Sequence, residues 1–299
     1  MKQGNMTVSF APHIQDSAAA NRIMLDVIIA LSPVIILSIY DFDIPFFEYF
    51  QFLPEPALLI GICVASCVFF EWAFQKLVKR KNTVKDLSAV VTGLLLALCL
   101  PEEIHPVLAV FGSFVAIVFV KQLFGGIGKN FANPAVTARV VLLVAFPAAM
   151  ATTWYMPFSG ELDLELLIGR QSNFLGDGHG LALVAGGVYL LIRRVITWHI
   201  PVTFIGTVFV VAAITGNDPV FQVFSGSLLL GAIFMATDYT TSPLTAKRRI
   251  IFGVMAGLHL VLFRYGNYQM AVSYTILLMN MATPLINKFA AYRALGEKR

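Results

Sequence analysis

The sequence predicts an all-α polytopic membrane protein, with about ten transmembrane helices arranged as two inverted five-helix repeats. Three observations carry that expectation. Of the 299 residues, 58% are hydrophobic and only 13% are charged, where a soluble domain carries roughly 25% charged residues; mean hydropathy is +0.78. Apolar runs long enough, or nearly long enough, to cross a bilayer recur along the chain. The charges between those runs alternate in sign.

The runs fall at about 23–40, 56–77, 87–100, 106–124, 134–150, 180–197, 201–216, 219–236, 249–264 and 268–288. With the N-terminus cytoplasmic, the inside loops carry Lys79, Arg80, Lys81 and Lys85, then Lys121 and Lys129, then Arg193 and Arg194, then Lys247, Arg248 and Arg249. The tail adds Lys288, Arg293, Lys298 and Arg299. The outside loops carry Asp41, Asp43 and Glu48; Glu102 and Glu103; Glu161, Asp163, Glu165 and Asp177; and Asp218. Arg170 and Arg264 depart from the pattern. This distribution follows the positive-inside rule and predicts both termini on the cytoplasmic side. It also accounts for a pI near 9.0 without a nucleic-acid partner. Residues 1–21 are polar and lack the apolar core of a signal peptide. Cys63, Cys67 and Cys99 lie inside apolar runs, where small buried apolar roles outweigh disulfide or metal roles.

An internal repeat divides this single membrane domain, 1–299, into repeat one at about 20–150, an outside loop at 151–179 and repeat two at about 180–290. Thr92-Gly93 and Phe111-Gly112-Ser113 in the first half answer Gly206-Thr207 and Ser225-Gly226-Ser227 in the second. Asn133-Pro134-Ala135-Val136-Thr137-Ala138-Arg139 likewise answers Ser242-Pro243-Leu244-Thr245-Ala246-Lys247. An odd number of helices per half inverts the second half relative to the first. Such repeats place their site near the midplane, often beside short helices in matching positions. The runs 87–100 and 201–216 are the expected pair.

The Gly-rich stretch Lys121–Val140 is the focal candidate. Gly125, Gly126 and Gly128 permit backbone angles closed to other residues, and Asn133-Pro134 is a helix start. Free N–H groups at such a start suit a phosphate or carboxylate. Arg139 lies two turns further in. Two readings stay open: an anion or cofactor site, or a tight turn with Arg139 reaching back to the cytoplasmic surface. Asp238, Thr240 and Thr241 in the second copy offer a carboxylate and hydroxyls, for a cation path or for simple helix capping. Glu71 and His259 are candidates for a proton or ion path, or for pairing with a neighbouring helix. Asn280, Thr283 and Asn287 form one polar stripe on the last helix, suited to helix–helix hydrogen bonding. The outside loop holds Trp154, Tyr155, Phe158 and Phe174, as a stacking surface or as interfacial aromatics.

Several phrases in order then resemble one family. Ala11-Pro12-His13, Arg22-Ile23-Met24-Leu25-Asp26-Val27, Asp86-Leu87-Ser88-Ala89 with Thr92-Gly93, Lys121-Gln122-Leu123-Phe124-Gly125-Gly126 and Asn133-Pro134-Ala135 resemble the D subunit of the Rnf electron-transport complex. A more distant similarity is to the B subunit of the sodium-translocating NADH:quinone oxidoreductase. The resemblance implies a urea-transporter-like fold, a multi-pass place in a bacterial or archaeal inner membrane, and other Rnf subunits as partners. It implies a complex coupling electron transfer between ferredoxin and NAD to sodium or proton translocation, with a flavin relay. A small-solute channel or a redox-inactive scaffold of the same fold is the alternative.

The family attaches FMN through phosphate to a threonine in a Ser/Thr-Gly-Ala-Thr phrase of the outside loop. Here the corresponding phrase is Ser159-Gly160-Glu161-Leu162. Leu162 has no hydroxyl, so no phosphoester forms at that position. A flavin is therefore expected to be held non-covalently, to be reached by another route, or to be absent from this subunit; FMN, non-covalent if present, is the expected cofactor, with riboflavin as the alternative. The candidate flavin contacts are Trp154, Ser159 and Gly160 outside, and Asn133, Thr137 and Arg139 inside. No residue is expected to be catalytic, and no metal site is expected.

Overall fold

A computed structural model describes residues 17–40, 55–151, 174–266 and 270–289. Each of the ten apolar runs is helical over most of its length, and no strand occurs among the described residues. Among the described residues, three helices are long and apolar enough to cross a membrane: Ala20–Tyr40, Pro56–Leu77 and Ala246–Gly266. Several apolar helices are shorter.

The first half contains α1 (Ser17–Tyr40), α2 (Glu55–Leu77), α3 (Ser88–Leu98), α4 (Pro106–Phe114) and α5 (Pro134–Ala145), followed by a single turn, α6 (Pro147–Met150). The second contains α7 (Gly180–Ile192), α8 (His199–Ile214), α9 (Pro219–Phe224), α10 (Leu228–Leu230), α11 (Ala246–Gly266) and α12 (Ala271–Phe289). Both α4 and α10 run on into π-helical segments, Val115–Gln122 and Gly231–Met235. Wide turns of this kind leave carbonyls off the regular ladder and often occur at functional places.

Local chemistry sets the boundaries. Pro106, Pro134 and Pro219 each occupy the first turn, where a missing N–H costs nothing. The side chains of His105, Asn133 and Asp218 accept backbone N–H bonds just before them. Pro33 lies inside α1 and cannot bond the Ile29 carbonyl; the Ser32 hydroxyl donates to it instead at 2.8 Å.

One hydrophobic core draws on helices from both halves. Its tightest contacts use glycine. A Cβ on Gly253 or Gly257 of α11 would collide with Thr203 and Thr207 of α8. Small residues four apart thus let two helices approach backbone to backbone, the usual device where lipid removes the hydrophobic drive.

Two helix entries, one in each half of the chain, share a backbone geometry. Leu87 (φ 63°) and Ser227 (φ 59°) are both left-handed and stand directly before short buried helices, α3 and α10. At 11 residues, α3 is about 16 Å long, half a bilayer core. A Cβ on Gly93 would lie 2.7 Å from the Val64 Cα, and one on Gly231 would lie 2.5 Å from Val272. Nothing stands within 4 Å of Gly206. Of the two runs expected as a matching short pair, 87–100 holds α3, with 11 residues, and 201–216 falls within α8, with 16. Two charges expected in loops are buried: Lys121, at 2% exposure, lies at the end of the π segment Val115–Gln122, and Asp177, at 6%, lies in the turn before Gly180.

Candidate functional site

The Gly-rich stretch folds as its composition requires. Gly125, Gly126 and Gly128 take φ of 113°, 92° and 85°, a region that side chains rarely enter. The Gly126 N–H closes the π segment on the Lys121 carbonyl at 3.0 Å. The chain then turns into Asn133, whose Oδ1 accepts from Ala135 N and Val136 N at 3.0 and 3.3 Å. The Asn133 Nδ2 donates across the molecule to the Met235 carbonyl at 3.2 Å. A single amide thus caps α5 and ties it to the end of the second π segment.

This tie borders a cavity of about 780 Å³, counted with its open mouth, between the two halves. Ser88, Thr92, Lys121, Asn130 and Asn133 line it from the first half; Asp238, Tyr239 and Thr240 line it from the second. The two polar phrases that the sequence sets far apart therefore share one space. Asn130 Oδ1 is buried there and makes no hydrogen bond among the described residues. Such an atom calls for a partner that the protein does not supply. Asp238 Oδ2 accepts from the Thr240 hydroxyl at 3.0 Å. Burial pushes the Asp238 carboxyl above its usual range, and the Thr240 N–H and hydroxyl draw it part of the way back.

Behind the cavity wall lies a buried charge network. Lys121 Nζ is 2.7 Å from Glu71 Oε2 and donates to Ser88 Oγ at 2.6 Å. The Ser88 hydroxyl in turn donates to Asp86. Glu71 Oε1 accepts from Gln75 Nε2, Thr83 Oγ1 and Gln122 Nε2 at 3.1, 3.0 and 3.0 Å. Every oxygen of this carboxylate is engaged, which is what allows a buried charge to persist.

A second network has the same order of groups. Arg139 donates to Ser227 Oγ at 3.4 Å, and the Ser227 hydroxyl donates to Asp177. The Arg139 guanidinium also sits 4.2 Å from the centre of the Phe174 ring. At 1% exposure, Arg139 does not reach the surface, which settles one of its two expected readings. Arg264 holds the Gln222 and Ser225 carbonyls at 2.6 and 2.9 Å. Its departure from the loop-charge pattern is thereby explained: it secures the end of α9.

Of the expected site residues, Asn133, Asp238 and Thr240 line the cavity. Thr137 bonds its hydroxyl to the Asn133 carbonyl at 2.8 Å. Thr241 is buried, and its carbonyl accepts from Thr283 at 2.9 Å. Arg139 belongs to the second network. Trp154, Ser159, Gly160 and Leu162 lie outside the described residues. His259 engages the Met255 carbonyl on its own helix. The three cysteines are free and buried, and no described group of three or more His, Cys, Asp or Glu could hold a metal ion. Sequence reasoning did not single out the side chains of Lys121, Ser88, Asp86 and Asn130. The signal for the first was a lysine at the end of an apolar run, with a carboxylate in another run.

The family model described as NQR2, RnfD, RnfE matches residues 7–296. The chain is 41% identical to the D subunit of the Na(+)-translocating ferredoxin:NAD(+) oxidoreductase complex of Acetobacterium woodii, over 99% of this chain and 97% of that protein. It is 35% identical to the D subunit of the proton-translocating ferredoxin:NAD(+) oxidoreductase complex of Clostridium ljungdahlii, over 100% and 98%. It is 34% identical to the D subunit of the ion-translocating oxidoreductase complex of Stutzerimonas stutzeri, over 94% and 93%. With its whole helical domain matched, the chain belongs to the NQR2, RnfD, RnfE family.

Proposed function

We propose that this chain is the D-type membrane subunit of an ion-translocating oxidoreductase complex of the Rnf kind. The complex couples electron transfer between ferredoxin and NAD to sodium or proton movement, in a bacterial cell membrane. End-to-end likeness to relatives bearing that name supports the reading. So does a cavity at the junction of the two halves, mostly apolar in its wall but with polar groups from both halves. The left-handed entries to α3 and α10 favour two inverted five-helix repeats, with both termini cytoplasmic as the loop charges suggest.

The cavity is the proposed place of a flavin, FMN or riboflavin, held without a covalent bond. The unpartnered Asn130 Oδ1 carries this assignment. A flavin ring presents both N–H and carbonyl groups along one edge, so an amide wall suits it. Bound there, a flavin supplies a one- or two-electron relay. Asn130 and Asn133 would orient the ring. Lys121, fixed by Glu71, would place positive charge at the wall, favouring the electron-rich form. Asp238 and Thr240 on the facing wall would offer oxygens to a cation. A path for ions and a place for electrons then share one cavity, the simplest arrangement for coupling them.

The test is to purify the chain, precipitate it with acid and read the supernatant for flavin. Release by wild type and reduced release by Asn130→Leu support the assignment. Flavin that stays on the denatured band contradicts it. Solute flux through liposomes containing the isolated chain, without flavin, would favour a channel instead.

A further inference from the structure

Asn280 on α12 is 2% exposed, yet neither its Oδ1 nor its Nδ2 makes a hydrogen bond among the described residues. A buried amide in that state is rare and requires an occupant. Its backbone adds a second unmet demand. Pro284 stands four residues later inside the same helix, so the N–H that regularly bonds the Asn280 carbonyl is missing. In α1 the equivalent gap before Pro33 is filled by Ser32, whose hydroxyl donates to Ile29 O. In α12 the residue before the proline is Thr283, and its hydroxyl is committed elsewhere. It bonds the carbonyls of Thr241 and Met279 at 2.9 and 3.0 Å.

The location follows from the neighbours. Val272 and Ile276 of α12 pack on Gly231, at the start of the second π segment. Thr283 meets Thr241, beyond that segment's end. Asn280 lies between these two contacts along the helix, at the level where the π segment finishes. The C-terminal end of a helical segment carries partial negative charge and favours a cation.

We propose that Asn280 is the centre of a binding site for a small monovalent cation of sodium's size. The Asn280 Oδ1 and its proline-freed carbonyl are two oxygen ligands. Water completes the shell and takes the Nδ2 hydrogens. Neutral oxygens of this kind suit a hard cation of low charge rather than a transition metal. The site is distinct from the Asp238 carboxylate and does not depend on a flavin.

The full chain in detergent, monitored by sodium NMR line broadening and by thermal unfolding, tests it in NaCl against choline chloride at equal ionic strength. Wild type should show a saturable, sodium-specific response. Asn280→Leu should weaken half-saturation by about tenfold or more, the loss of an oxygen bonded to charge. Thr275→Val removes another buried unpartnered hydroxyl on the same helix and should leave the response intact. Should Asn280→Leu fail to fold, Asn280→Asp is measured instead and should bind sodium more tightly. An equal response in NaCl and choline would mean that water alone satisfies the amide, and the proposal is overturned. It is likewise overturned if Asn280→Leu keeps the wild-type response, if Thr275→Val loses it, or if Asn280→Asp binds no tighter.

Discussion

Lys121 and Glu71 face each other at 2.7 Å with almost no exposure, one at the end of a π segment and the other on α2. Removing one partner leaves the other as an uncompensated buried charge, at a cost of about 3–5 kcal/mol. Lys121→Met is therefore expected to lower the unfolding midpoint of the purified chain sharply. The double variant Glu71→Gln/Lys121→Met should recover much of the loss. A double variant that adds the two single losses would show that the residues do not act as a pair.

The second network predicts a parallel result with a different readout. Arg139 touches Ser227 and Phe174, and Ser227 bonds Asp177. Those contacts join α5 to the segment that follows the 151–173 stretch. Arg139→Met should raise proteolytic cleavage within residues 152–173 as well as lower the midpoint. Arg139→Lys restores the charge but not the flat contact on Phe174, so it should recover only in part.

Gly257 offers a packing test. Its Cβ position is occupied by Thr207 side-chain atoms at 2.5 and 2.7 Å, with the Phe204 carbonyl at 3.1 Å. Gly257→Val should cost about 1–3 kcal/mol through forced separation of α8 and α11. Gly206→Ala is the control, because nothing lies within 4 Å of that position. Unfolding midpoints of the two variants decide the matter, and equal midpoints would argue against close approach of these helices.

The ten apolar runs and their helical nature were legible because lipid imposes a simple rule on composition. The Gly-rich turn and the Asn133 cap were legible too, because each needs particular residues at particular places. The pairing of halves was less so. Thr92-Gly93 looks like Gly206-Thr207, but a glycine in a helix reveals nothing about which neighbour approaches it. Gly93 is tightly packed and Gly206 is open. The burial of Lys121 and Asp177 was not legible for a related reason: a charge in a loop or at the end of an apolar run looks exposed until its partner is seen. Those partners, Glu71 and Ser227, are 50 residues away in each case, a distance over which sequence carries no geometric signal.

Position 162 gives a further chemical test. On the resemblance drawn from the sequence, Leu162 is expected where the family's phrase has its acceptor threonine. Coexpressed with a flavin transferase, the wild-type chain should give no fluorescent band after denaturing electrophoresis. Leu162→Thr restores the hydroxyl, and Glu161 beside it sets how well the site is recognised. A fluorescent wild-type band would place a covalent flavin on another residue.

The proposed function stands or falls on one cavity, shared by the two halves, holding a flavin through Asn130 and Asn133. Flavin released by acid from purified wild type, Asn133→Ala and Asn133→Asp measures that occupancy. Asn133→Asp keeps an oxygen to cap α5 but loses the Nδ2 bond to Met235, and Asn133→Ala loses both. Stoichiometric release is expected from wild type, and markedly less from both variants while each remains folded. Full flavin content in both folded variants, or none in wild type within an intact complex, would contradict the proposal.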